Sequence, residues 1–360
     1  MNNREVPITP RVGVNRINEI DFVRGIAIIL VVLLHSASPV MYQFTVVPTQ
    51  VWNVHNFVDS AARICVPLFF MVSGYLLLSP NATKGEPLYF DLPKRIIKVL
   101  VPLIAWSLIY KTGALYINGQ AINLINIIAI LGGISHGAAV YHLWFLYELM
   151  ALYLTLPILR ALFSKSNDTA KYFVWLWFLL ITARLFSSVS GLNFPLGGYV
   201  DFGNAGYLVA GYLIRLYCPS PTRRTAGYAV GVYVVAMVAT YCLTSFYSRI
   251  NNAYYEGFHV YATPNVAIMA VSSFVFLLFA AEKTKIVSGL VSLIGTQSFG
   301  IYLVHVLFLE RFSYNVLGTP ATSPLGAMMS ILATAIVALA LSFVVARLIR
   351  LFAITRWLAP

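Results

Sequence analysis

Charge is what this sequence has least of. Asp, Glu, Lys and Arg together make up 10% of its 360 residues, where a soluble domain carries roughly 25%. That is too little to cover the surface of a water-soluble fold of this size. Acid is scarcer still, with 12 Asp and Glu against 24 Lys and Arg. Cysteine is nearly absent: Cys65, Cys218 and Cys242 lie far apart, within or at the end of apolar segments, which excludes a disulfide framework and any metal site of the usual spacing. The chain has no Gly-rich phosphate loop, no G-x-S-x-G elbow and no H-E-x-x-H pair, so P-loop, serine-hydrolase and zincin chemistry are set aside. It also lacks internal repeats, low-complexity runs and an appended soluble domain. What it has in quantity is apolar surface. Hydrophobic residues reach 59%, the mean hydropathy is +0.80, and apolar stretches of membrane-spanning length recur from end to end.

The pattern predicts an all-α fold: a polytopic bundle of about ten transmembrane helices. Candidate spans fall at 20–40, 54–78, 96–117, 141–163, 169–189, 199–217, 226–247, 261–282, 288–310 and 325–350. Residues 118–140 are apolar but broken by Gly132, Gly133, Ser135 and Gly137, which reads as a loop with an interfacial helix. Residues 1–17 and 351–360 are expected as short tails around one domain over 18–350. The first apolar run carries Asp21 and Arg24 near its start and is too long for a cleaved signal. The net charge of +12 does not point to nucleic acid, because the cations sit in short loops between spans. With the N-terminus cytoplasmic, eighteen Lys and Arg fall on the inner side. Four fall on the outer side, Lys111, Arg184, Arg249 and Arg311, and two lie within spans. The positive-inside rule then places both termini in the cytoplasm, with the inner membrane of a bacterium as the expected location.

Ionisable groups inside spans are expensive, and therefore functional candidates. In the first span Arg24 and His35 are eleven residues apart, within about 20° of three full turns, so they share a face at about 16 Å separation. Asp21, one turn from Arg24, can pair with it. The second span holds Asp59 and Arg63 at i,i+4, with Arg63 near the depth of His35. Lys94, Arg95 and Lys98 open the third span. They are ordinary topology anchors by position, yet Arg95 and Lys98 share a face that can clamp phosphates. His142, Trp144 and Glu148 in the fourth span, and Tyr302 and His305 in the ninth, fall toward the outer side. Each also has a structural reading, as a buried ion pair, a satisfied interior histidine or an interfacial aromatic belt. His55, His136 and His259 lie in or beside outer loops and carry little weight. The polar chemistry is thus divided between a basic cytoplasmic rim and an outer-half set of His, Arg, Asp and Glu.

These residues carry a resemblance to a family. The run from Arg16 through Asp21, Arg24 and Gly25 to His35 resembles the opening of the acyltransferase-3 family of membrane O-acyltransferases. Arg63-Ile-Cys-Val-Pro-Leu-Phe-Phe-Met-Val-Ser-Gly-Tyr75 is similar to its second-span motif. Lys94-Arg95-Ile-Ile-Lys98 with Pro102 is similar to its third-span entry, where Lys98 stands in place of a usual arginine. Tyr141-His-Leu-Trp-Phe-Leu and Ser298-Phe-Gly-Ile-Tyr-Leu-Val-His305 match later landmarks, so the likeness runs through all ten spans. The resemblance implies an acyl-CoA-dependent O-acyltransferase with acetyl-CoA as donor substrate, no permanently bound cofactor and no metal. Its acceptor would be a hydroxyl of a cell-envelope polysaccharide or a lipid-linked sugar. Arg16, Arg24, Lys94, Arg95 and Lys98 would hold the phosphates of the donor. His35, with Asp21, Arg24 and Arg63, would be catalytic, and Asp59, His142, Trp144, Glu148, Tyr302 and His305 would face the acceptor. His35 would act either as a general base on the sugar hydroxyl or as a carrier that takes the acyl group and passes it on, with Arg63 at the oxyanion. The competing reading is a transporter or exporter of a small solute or lipid-linked glycan. Intramembrane Asp, Arg and His also mark ion pathways, but the inverted repeats of such proteins are not visible here.

Overall fold

A chain in hydrocarbon must satisfy every backbone N–H and C=O internally, and one this apolar can do so only as helices or a closed barrel. The computed structural model resolves the choice. It describes residues 14–78, 89–192, 201–312 and 322–360, the side chains of 14–18, 285–287 and 311–312 excepted, and among these every regular element is helical. In chain order they are α1 (Val14–Met41), α2 (Thr49–Ala62), α3 (Cys65–Leu77), α4 (Leu92–Ile117), α5 (Leu124–Ile134), α6 (Trp144–Phe163), α7 (Asn167–Ser190), α8 (Ala205–Tyr217), α9 (Arg223–Asn251), α10 (Pro264–Lys283), α11 (Lys285–Thr296), α12 (Ser298–Phe312) and α13 (Pro324–Leu351), with three single-turn helices between them. This is an all-α polytopic bundle.

Seven described stretches are long and apolar enough to cross a membrane, eight if the bent pair α11–α12 counts as one. They cover eight of the ten expected spans, but two of the eight are not simple rods. The span over 54–78 is α2 and α3 in tandem, interrupted at Arg63 and Ile64. The span over 288–310 bends by 78° between α11 and α12. The other two expected spans are α4, with 26 residues and four cations along it, and α8, with only 13 residues. The apolar stretch at 118–140 forms the 11-residue α5, none of whose residues is buried.

α1 is the central post, packed against α2, α3, α10, α11, α12 and α13. Small residues set its closest contact. A side chain at Gly25 would collide with the Val291 carbonyl of α11, and one at Gly295 with the Asp21 carbonyl of α1. α3 and α8 meet the same way, Gly74 against Leu208 and Gly211 against Met71. Lipid tails are as apolar as Leu, so close backbone packing rather than the hydrophobic effect holds such helices together. Here it also fixes Arg24 and His35 beside α11 and α12.

Candidate functional site

Arg24 and Arg95 mark one end of the bundle. Arg24 donates to Asp21 at 3.1 Å. Arg95 donates from Nε to Asp91 at 2.7 Å, and the same carboxylate takes two further hydrogen bonds from Arg160 at 2.9 and 3.3 Å. Arg160 also donates to the Leu77 carbonyl at 2.9 Å, tying the end of α3 to the start of α4. The hydrogen bonds from Arg160, then those from Arg95, hold the Asp91 carboxyl down at about 2, below its ordinary 3.8. Between these helices lies a cavity of about 420 Å³ bordered by Arg24, Arg95, Lys98 and Arg350, with Phe69, Phe145 and Tyr302 farther in. Four cations around one open cavity make a site for a polyanion, and arginine forks suit phosphate oxygens.

His35 borders a second cavity, of about 600 Å³, with Arg63, Tyr141, Trp144, His259, Tyr261, Glu256 and Glu310. Its rear wall is a buried polar hub. Asp59 is fully buried and accepts from Arg63 Nε at 2.5 Å and from the Ser38 hydroxyl at 2.7 Å. His259 Nδ1 lies 3.4 Å from it. A buried ion pair is retained only with such supporting hydrogen bonds, and here they aim the Arg63 guanidinium toward the cavity and over the Tyr261 ring at 5.8 Å. Trp144 stacks on Tyr261 with centroids 5.7 Å apart.

The two cavities share no lining residue. What divides them is a layer of rings. His305 lies 5.3 Å from His35, 5.3 Å from His142 and 5.8 Å from Tyr302, centroid to centroid. The Tyr302 hydroxyl donates to the His142 carbonyl, and His305 Nδ1 sits 2.6 Å from the Tyr302 carbonyl. That leaves Nε2 of His305 and both ring nitrogens of His142 buried without a hydrogen-bond partner among the described residues. Buried polar atoms are normally satisfied, which sets these three nitrogens apart from most of the buried polar groups. His35 likewise makes no hydrogen bond to a described residue and faces the cavity.

Not every expected position falls here. Tyr302, expected on the acceptor side, lines the basic cavity instead. Glu148 lines neither cavity. It accepts from the backbone and side chain of Asn204 at 3.4 and 3.2 Å, an acid at the start of the short helix α8, where the helix dipole favours it. Lys94 points away over the Phe90 ring, and the Arg16 side chain lies outside the described residues. Glu310, a polar residue of the ninth expected span, borders the second cavity, and His259, Glu256, Tyr261 and Arg350, none of them expected at the site, also belong to the cavities. Arg350 was counted as a topology cation, yet it donates to the Thr296 carbonyl at 2.8 Å at the bend before α12. Among the described residues, no group of three or more His, Cys, Asp and Glu could hold a metal ion.

The described residues thus form a multi-pass helical bundle with a basic cavity at one end and a layer of histidine and tyrosine rings between it and a second cavity. The family described as "Acyltransferase domain", the acyltransferase-3 family, matches residues 17–347, and this chain belongs to it; with its apolar helices it is a multi-pass membrane protein. Among curated proteins, nodulation protein NolL of Sinorhizobium fredii is 28% identical over 162 residues, 44% of this chain. The matched stretch spans 39% of that relative's length. No solved structure matches the chain.

Proposed function

We propose that this protein transfers an acetyl group from cytoplasmic acetyl-CoA to a hydroxyl of a cell-envelope glycan in the bacterial inner membrane. The observation that carries the reading is the pair of cavities meeting at the histidine layer. The basic cavity, with Arg24, Arg95, Lys98 and Arg350 at its rim, receives the nucleotide phosphates of the donor. Arg24 and His35 lie on one helix face at about 16 Å, a span that an extended phosphopantetheine arm covers, so the thioester reaches the ring layer while the phosphates stay at the rim. The second cavity offers the features that hold a sugar: stacked Trp144 and Tyr261 for an apolar ring face, and Glu256 and Glu310 to accept from hydroxyls.

At the layer, His35 removes the proton of the attacking hydroxyl. The hydroxyl oxygen bonds to the thioester carbonyl carbon, the C–S bond breaks, and CoA leaves as a thiolate that takes up a proton. Arg63, held by Asp59, faces the negative charge that develops on the carbonyl oxygen. Transport fits the same geometry less well, since transport needs no polyanion site closed off by aromatic rings. The test is thiol release by the purified protein in detergent with acetyl-CoA and water as the only acceptor. Slow release above the buffer rate, abolished in His35→Ala, is the expected result. No release in the wild type sinks the donor assignment.

A further inference from the structure

We infer that Phe145, together with Phe69, determines which acyl groups the basic cavity accepts: these rings form a floor that admits a short, uncharged acyl group and excludes longer or acidic ones. The inference rests on the acyl-CoA reading proposed above. Charge contacts at the rim show which way the cavity deepens. Arg160 of α6 shares Asp91 with Arg95 there, and it also holds the Leu77 carbonyl at the end of α3. Moving away from Arg160, α6 turns Tyr153, Leu149 and Phe145 to the cavity in one stripe, with i, i+4 spacing. Phe145 ends that stripe about 12 Å beyond Tyr153. Moving away from Leu77, α3 lines the cavity with Ser73, Val72 and finally Phe69, also about 12 Å from its anchor. On α12, Tyr302 lies one turn beyond Ser298, which follows the bend held by Arg350.

Three helices therefore each place one ring at the inner end. The Phe145 centroid is 6.0 Å from Phe69 and 5.2 Å from Tyr302, spacings of aromatic rings in packing contact. Fully buried Phe70 backs Phe145 at 5.2 Å, so the ring has no free space to swing into. The one polar group among these rings is turned elsewhere, since the Tyr302 hydroxyl donates to the His142 carbonyl. Consecutive residues face opposite ways here: Trp144 borders the second cavity and Phe145 the basic one. Phosphates held at the rim and a reaction at the ring layer fix the thioester between them, and only the carbons beyond its carbonyl meet the floor. A methyl group rests against the rings. Each further methylene has to displace a packed ring, and close-packed interiors yield little. A terminal carboxylate would lie on aromatic faces two turns from the rim cations, where a charge without a partner is costly.

The test measures thiol release from acetyl-, butyryl- and succinyl-CoA by the full chain in detergent, with water as acceptor and melting temperatures taken on the same preparations. One methylene in an apolar pocket typically changes kcat/KM by about 10–200-fold. The wild type should therefore favour acetyl-CoA over butyryl-CoA by at least about tenfold, and over succinyl-CoA by as much. Phe145→Leu and Phe69→Leu open the floor, and each should narrow the acetyl-to-butyryl ratio by about fivefold or more while succinyl-CoA stays excluded. Phe299→Leu, which borders the same cavity one turn nearer the rim, should keep the wild-type ratio. Lost stability lowers all three rates together and does not move a ratio. Half-buried Phe69 carries the test where Phe145→Leu does not fold. Equal use of acetyl- and butyryl-CoA by the wild type overturns this inference alone, as does turnover of succinyl-CoA at the acetyl rate. So does a ratio that is unmoved in the folded floor variant, or one that narrows as much in Phe299→Leu. No release from any of the three donors overturns the acyl-CoA reading, and this inference with it.

Discussion

Arg24 and His35 share one helix, yet each borders a different cavity, so their roles separate by mutation. His35→Ala should lower acetyl transfer by a factor of about 100 to 10,000, the usual worth of a general base, and leave acetyl-CoA affinity near the wild-type value. Turnover above about a tenth of normal in a stable, donor-binding variant would move the base to His305. Arg63 is a poorer probe, because removing it leaves Asp59 buried without its cation, a loss of about 3–5 kcal/mol from stability alone. Arg63→Lys keeps the charge and is the better comparison. The common face of Arg24 and His35 was legible in the sequence, since both sit on one helix of known pitch. His259 was not. Its partners Ser60 and Asp59 come from about 200 residues away, with Ser60 at 3.0 Å from Nε2, and a histidine near an outer loop carries no periodic signal. Arg350 was hidden differently, because a cation at a helix end already satisfies the topology rule.

Elements rather than residues decide whether the rim of the basic cavity holds its shape. Asp91 joins α3, α4 and α6 through Arg95 and Arg160. Its carboxyl is depressed from 3.8 to about 2, so it stabilises the folded state above the unfolded value and loses that contribution as pH falls through the folded value. The melting temperature of Asp91→Asn in detergent should therefore lie below wild type by a constant margin from pH 7 to about 5, and the margin should close between about pH 4 and 2. A margin that stays unchanged at pH 3 would mean that the ionised carboxylate is not what joins these helices. A second contact can be probed where no charge is involved. Gly25→Ala meets the Val291 carbonyl, and overpacking of this kind costs typically about 1–3 kcal/mol. Gly113→Ala on α4 has open space around it and should be neutral or slightly stabilising. Thermal unfolding of the two variants side by side separates close helix packing from a general effect of replacing glycine. Helix positions were readable from hydropathy. The breaks at Arg63 and Gln297 were not, since each lies within a stretch whose overall hydropathy reads as one span.

At the scale of the whole molecule, the sides of the two cavities follow from how many times the chain crosses. α8 is where that number is in question. With 13 residues it covers about 20 Å, short of a hydrocarbon core about 30 Å thick, although the sequence had suggested a full span over 199–217. Its start lies inside the bundle, where Glu148 accepts from the Asn204 backbone N–H and Trp177 donates to the Gly203 carbonyl at 2.9 Å. Irregular backbone is tolerated at membrane depth only where protein satisfies its polar groups, and Glu148 and Trp177 do this. At the other end Arg215 donates to the Tyr75 carbonyl at 2.7 Å, on the side of the basic cavity. The expectation to test is that α8, its start held by Glu148 and Trp177, completes a crossing. Reporter fusions after residues 165, 220 and 285 should then all read cytoplasmic, and fusions after 120 and 253 should read periplasmic. The fusion after 220 is the discriminating one. A periplasmic signal there, with a cytoplasmic one retained at 165, would mean that α8 turns back. The chain beyond it would be inverted, and Arg350 could not stand at the same rim as Arg24 and Arg95. Glu148→Ala offers a check on the cause. It should lower the melting temperature without changing the 220 reading, because the acid stabilises the start of α8 while close packing of Gly74 and Gly211 holds the helix in place.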